Sequence, residues 1–168
     1  MHKLKLTFTE KTYPYLDEPH DSTICWGEIA LTVTQNGSLI KEIISTEWDI
    51  KELIIWLFTN KQKILSEKLP FEGNINDSLA KQIYSFYNTD ESLDEDQIDF
   101  MYNYRLRHGL RFGLRGVDID DVYLGKNGNQ YEISFCNDSN FWCFQVDVIS
   151  FYNELESDFE QLYRTTNN

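Results

Sequence analysis

Histidine, cysteine and proline are scarce in this 168-residue chain, at three each, and basic side chains are in the minority, 15 Lys and Arg against 28 Asp and Glu. Each shortage removes a class of function. Cys25, Cys136 and Cys143 are odd in number and form no C-x-x-C pair, which argues for reduced thiols in a cytosolic protein and against a thiolate metal cluster. No window approaches the apolar length of a membrane span, and the opening MHKLKLTFTE lacks the apolar core of a signal peptide, so a cytoplasmic location without membrane contact is expected. The net charge of −13 repels nucleic acid and favours a basic partner, although acidity also serves solubility by itself.

Catalytic signatures are missing as well. The chain has no G-x-S-x-G, no G-x-x-x-x-G-K-[ST] and no H-E-x-x-H, and Gly109, Gly113 and Gly116 do not lead from a strand into a helix as a dinucleotide loop does. His2 is near the start, His20 adjoins Pro19, and His108 sits among apolar residues, where a hydrogen-bonded core role outweighs that of a base. Asp94, Asp96 and Asp99 lack the glycine and the further oxygen donors of a calcium loop, and a charged turn accounts for Asp118, Asp120 and Asp121. No cofactor, no metal and no enzymatic role are expected.

What is abundant is aromatic: eleven Phe, ten Tyr and four Trp, enough to build the core of a single domain spanning 1–168. Alternation predicts a strand over 3–9, a loop over 10–22, and strands over 23–34 and 39–44 joined by an Asn36-Gly37 hairpin. Asp49 and Glu52 approximate a capping box for a helix from Ile50 to about Lys68, stopped by Pro70. A helix begins near Ser78 with Leu79, Ile83 and Phe86 on one side, and a short one opens at Ser92, with Glu95 three residues on and Ile98 and Met101 facing inward. Later come a strand over 122–124, a hairpin at Asn127-Gly128, a turn over 137–140, a strand over 141–146, and a closing helix over 148–163 capped by Asp147. The order implies an α+β fold, a mostly antiparallel β-sheet with three to four helices packed mainly on one face.

The stretch YNYRLRHGLRFGLR, residues 102–115, alternates strictly: Tyr102, Tyr104, Leu106, His108, Leu110, Phe112 and Leu114 on one face, arginines and glycines on the other. Period two predicts a long strand. A competing reading continues the preceding helix to His108, with Gly109 as a left-handed terminator and Arg105 and Arg107 at the negative end. The arginine face offers Arg105, Arg107, Arg111 and Arg115 to an anionic group; against this stands pairing inside the molecule, with Glu28, Glu42 and Glu132 as partners on neighbouring strands.

If the cations are paired internally, the unneutralised charge lies in two acidic clusters. Glu91, Asp94, Glu95, Asp96 and Asp99 form one, and Glu154, Glu156, Asp158 and Glu160 form the other, on the closing helix. Such clusters draw in a basic surface and discriminate by charge, provided that aromatics supply a dry centre; Trp48, Trp56 and Trp142 are candidates for it, with core packing as the alternative.

In size, acidity, aromatic richness and the run RHGLRFGLRGVDIDDVYLG followed by NGNQYEISF, the chain resembles the small acidic bacterial proteins that confer immunity to secreted or contact-delivered toxins. The resemblance covers mainly the C-terminal half and carries no active-site motif, so it assigns a role to no residue. It implies a cytoplasmic inhibitor that occludes a toxin domain, often a nuclease with a basic cleft. Two other readings stand beside it: a phage-type DNA mimic acting on a DNA-binding enzyme, and a domain that holds a phosphorylated small molecule on the arginine face.

Overall fold

Asn36 and Gly37 both take positive φ, 51° and 80°, in the computed structural model. That backbone twist matches the right-handed twist of paired strands, so the two residues close a tight hairpin between β2 (Trp26–Gln35) and β3 (Ser38–Asp49). Residues 1–14, 24–71, 73–74, 76–89 and 92–166 are described, with side chains through 159. The loop expected over 10–22, and the start of the strand expected from Thr23, fall largely outside them. The chain divides into two compact units, Met1–Ile55 with Asp147–Asn168, and Trp56–Val146.

In the first unit β1 (Lys3–Glu10) pairs antiparallel with β2, giving the order β1-β2-β3. The register sets Leu4 beside Val33 and Leu6 beside Leu31, and Ile44 of β3 adjoins Leu31, all of them buried. One face of the sheet is thus apolar. It is completed by Ile50, Leu53 and Ile54 at the start of α1 (Ile50–Ser66) and by Val148, Phe151, Tyr152 and Leu155 of α4 (Val148–Thr166). Gly27 is required by contact: a Cβ there would lie 2.4 Å from the Thr9 carbonyl oxygen and 2.6 Å from Ile50 Cδ1. Asp49 accepts the amides of Lys51 and Cys25 at 3.0 and 3.1 Å, while Glu52 accepts the Trp48 indole N–H, so the expected capping box is replaced by two separate bonds. Asp147 starts α4 by accepting the amide and the hydroxyl of Ser150, and these bonds hold its carboxyl below the usual range.

The second unit holds β4 (Tyr123–Asn127), β5 (Gln130–Cys136) and β6 (Phe141–Gln145), antiparallel in that order, with α2 (Leu79–Tyr87) and α3 (Glu95–His108). The β4–β5 hairpin turns on Gly128-Asn129, with Gly128 at φ 59°, one residue beyond the expected pair. Asn137 shapes the next turn, its side-chain oxygen accepting the amides of Ser139 and Asn140. Three amides of the first turn of α2 are satisfied from three sources: Glu132 Oε1 accepts Leu79 N–H at 2.6 Å, Ser134 Oγ accepts Ala80 N–H at 3.1 Å, and Ser78 Oγ accepts Lys81 N–H at 3.3 Å. Glu132 and Ser134, the polar face of β5, are therefore buried under a helix end.

The arginine stretch is not a strand. Asp94 accepts Gln97 N–H at 2.7 Å while Gln97 Oε1 accepts Asp94 N–H at 3.1 Å, a complete capping box two residues beyond the expected Ser92 start. The helix runs on to His108 because Met101, Tyr104 and His108 recur at helical spacing and are all buried. Tyr102, assigned by alternation to the same face as Tyr104, points to solvent. Gly109 does end the helix, but at φ −87° rather than in the left-handed region. Its role is close approach, since a Cβ would lie 2.9 Å from the Arg105 carbonyl oxygen. A 3-10 turn, Leu110–Gly113, follows. Without a central strand, the antiparallel strands form two three-stranded sheets, and the fold is α+β.

Candidate functional site

The four arginines do not share a face. Arg105 donates from Nε to the Tyr123 hydroxyl at 2.9 Å and from Nη2 to Asp121 at 3.2 Å, and its guanidinium lies 5.1 Å from the Tyr87 ring centroid. Burial opposes its charge, yet Tyr123, Tyr87 and Asp121 together leave its pKa raised. Arg111 reaches the other oxygen of Asp121 at 3.0 Å. Arg107 makes a forked pair with Glu67, Nε and Nη2 at 2.8 and 2.7 Å. Arg115, exposed in the following turn, is also engaged. The carboxylate partners of Arg105, Arg107 and Arg111 are Asp121 and Glu67, not Glu28, Glu42 or Glu132; Glu132 is bound to Leu79 and Asn127.

Behind Glu67 sits His108, with no exposed surface. Its ring stacks on Tyr104 at 3.9 Å between centroids, with Nδ1 3.0 Å from the Leu124 carbonyl oxygen and Nε2 3.3 Å from Glu67 Oε2. A carbonyl only accepts, so Nδ1 carries the proton in the neutral ring, and Nε2 donates to Glu67 only when the ring is charged. Burial lowers the His108 pKa, outweighing the opposing pull of Leu124 and Glu67. Burial also works to raise Glu67, but the bonds and charge of Arg107, with His108 behind them, hold it below its ordinary value. The imidazole is sealed from any substrate; the neutral ring ties the end of α3 to β4 through Leu124, and Arg107 ties it to Glu67, the residue after α1.

None of the three thiols is set up as a thiolate. Burial raises Cys25 and Cys136, and burial beside Glu132 pushes the Cys143 thiol up to about 12. Among the described residues no three His, Cys, Asp or Glu side chains gather to hold a metal ion, and no helix is long and apolar enough to cross a membrane.

The two acidic clusters fare differently. On α4, Glu154 is bound to Lys3 at 2.6 Å, Glu156 is engaged as well, and Asp158 is exposed. On α3, Asp94 is spent on the capping box, whereas Glu95, Asp96 and Asp99 are exposed. Glu91 and the Glu160 side chain lie outside the described residues. The α3 cluster has large apolar neighbours: Ile98, Phe100 and Tyr102 are 41, 61 and 47% exposed. Ile98, expected to face inward, lies outward with them. Glu95, Ile98, Asp99 and Tyr102 are related by spacings of three and four and share one side of the helix, whereas Phe100, two residues from both Ile98 and Tyr102, lies with Asp96 on the adjoining side. The tryptophans do not provide an exposed centre. Trp48 and Trp56 are half-buried and bonded to Glu52 and the Leu106 carbonyl, and Trp142, also half-buried, stacks on Phe135 and lies tilted against Phe144. Reading α3 as a helix from Asp94 would have placed Phe100 and Tyr102 outside from sequence alone.

Comparison of the chain with known protein families, with curated proteins and with solved structures finds no match.

Proposed function

We propose that the protein acts by binding and neutralising a basic protein partner, in the manner of an immunity protein, and that it does so without catalysis. The observation that carries this reading is the exposed surface of α3, where Ile98 and Tyr102 share a side with Glu95 and Asp99 and Phe100 stands with Asp96 on the adjoining side. Exposed aromatics supply a dry anchor and the surrounding carboxylates set orientation and association rate, the two components of a specific interface to a cationic surface. The pairing of Arg105, Arg107 and Arg111 with Asp121 and Glu67 supports it further, because those cations do not offset the acidic face.

The test is co-expression with the product of each adjacent reading frame. A toxic product rescued by this chain, with complex formation that weakens as salt rises and is lost on Phe100→Ser or on Glu95→Lys with Asp96→Lys, is the expected result. Absence of any complex with those products at low salt would remove the reading.

A further inference from the structure

We propose that a trough in the second unit is a binding site for an amphipathic anion, with its head on Lys68 and Lys126 and its tail along Phe71, Phe86 and Met101. Two cavities, of about 670 and 370 Å³, share Leu69, Gly73 and Gln82 in their walls, so they are adjoining stretches of one trough. Their sizes fall in the range of small-molecule sites, about 300–1,000 Å³.

The two stretches differ in chemistry. The larger is lined by Lys68 and Lys126 together with Asn127 and Asn129, and among the described residues no carboxylate lines it. Among the described residues neither ammonium takes part in an ion pair, whereas Lys3, Lys11 and Lys81 are each held by Asp or Glu. In a chain with 28 acidic and 15 basic residues, two unmatched cations facing one concave surface mark a place where an anion is favoured over water. The smaller stretch is lined by Leu69, Phe71, Phe86 and Met101, with the Phe71 and Phe86 rings stacked at 5.2 Å and 10° from parallel. Among the described residues Asp77 is the one carboxylate there, and Lys81 neutralises it at 2.7 Å. An acyl or alkyl chain suits the ring floor, and a carboxylate or phosphate head suits the lysine end.

The anion site thus lies away from the arginines, whose guanidiniums are occupied. The inference is independent of the α3 interface, since none of Ile98, Phe100 or Tyr102 lines the trough.

Isothermal titration of the purified protein with dodecanoate, dodecyl phosphate, octanoate and inorganic phosphate, each below its micelle concentration, tests it. Saturable binding of one dodecyl anion per chain is expected, tighter than octanoate, with the better of the two head groups assigning carboxylate or phosphate. The double variant Lys68→Gln with Lys126→Gln should weaken binding roughly tenfold or more, while Lys63→Gln, on the exposed side of α1, leaves it unchanged. Failure of both dodecyl anions to bind, equal affinity for inorganic phosphate, or full affinity in the double variant would each overturn the assignment. Neither lysine has a charged partner among the described residues, so an unchanged urea midpoint will show that the double variant is folded.

Discussion

Arg107 and Glu67, forty residues apart, are joined by two parallel hydrogen bonds of 2.8 and 2.7 Å with less than a third of either side chain exposed. A fork of this kind, partly withdrawn from water, is worth more than a surface ion pair. Glu67→Gln should lower stability by roughly 1–3 kcal/mol because Arg107 loses its counter-charge. A double-mutant cycle with Arg107→Met, read by urea denaturation, should give a coupling of about 1 kcal/mol or more; additive losses would show that the two groups do not act as a pair.

His108 gives the protein a stability that depends on pH in a defined direction. Its folded pKa lies below the ordinary 6.5 because burial disfavours the imidazolium. Between the folded value and 6.5 the unfolded chain binds more protons, so stability is full above 6.5 and declines as pH falls through that window. Glu67, also depressed, adds a second loss at more acidic pH, as its carboxylate is protonated. Urea midpoints should stay level from pH 8 to about 6.5 and fall from there to pH 5, and His108→Gln should flatten the upper part of that fall while lowering the whole curve.

Tyr104 presents the opposite case. Its hydroxyl is buried with no hydrogen-bond partner among the described residues, and burial raises its pKa far above the ordinary value. Removing an unsatisfied group while keeping the ring that stacks on His108 relieves a desolvation cost. Tyr104→Phe should therefore raise stability by about 1 kcal/mol, visible as a higher melting temperature with no change in the far-ultraviolet spectrum.

Glu132 closes the N-terminus of α2. Its carboxylate accepts Leu79 N–H at 2.6 Å and the Asn127 amide at 2.9 Å. Glu132→Ala leaves the Leu79 amide unmatched in a buried setting and should destabilise by about 1–3 kcal/mol. Glu132→Gln, which keeps one acceptor oxygen, should recover part of the loss.

At Gly125 a Cβ would come within 2.6 Å of His108 Nδ1 and 3.2 Å of Leu79 Cδ1. Gly125→Val should therefore push the imidazole off the Leu124 carbonyl. The expected outcome is a shifted His108 resonance in nuclear magnetic resonance spectra and a loss of stability of about 1–3 kcal/mol.

Short-range chemistry was readable along most of the chain. Asn36-Gly37, Ser78 and Asp147 each carry their own turn or cap within a few residues, and each marks its element where expected. The segment 102–115 was misassigned because period two in composition coincides there with an i, i+3, i+7 burial pattern, and only the cap eight residues upstream separates them. The partners of the arginines were not readable at all. Glu67 and Asp121 sit in irregular segments, 40 and 16 residues from Arg107 and Arg105, and no local pattern points across such distances. The exposed face of α3 was half legible: its charges stand out in the chain, but its apolar members depend on knowing the helix.

The α2 terminus has a bearing on how the chain assembles. Two of the amides that open this nine-residue helix wait for side chains that emerge from the ribosome 53 and 54 residues later. So short a helix is marginal alone, and its first turn is completed by β5. During synthesis, then, α2 should flicker until the following hairpin is made, and the two should lock in a single late event.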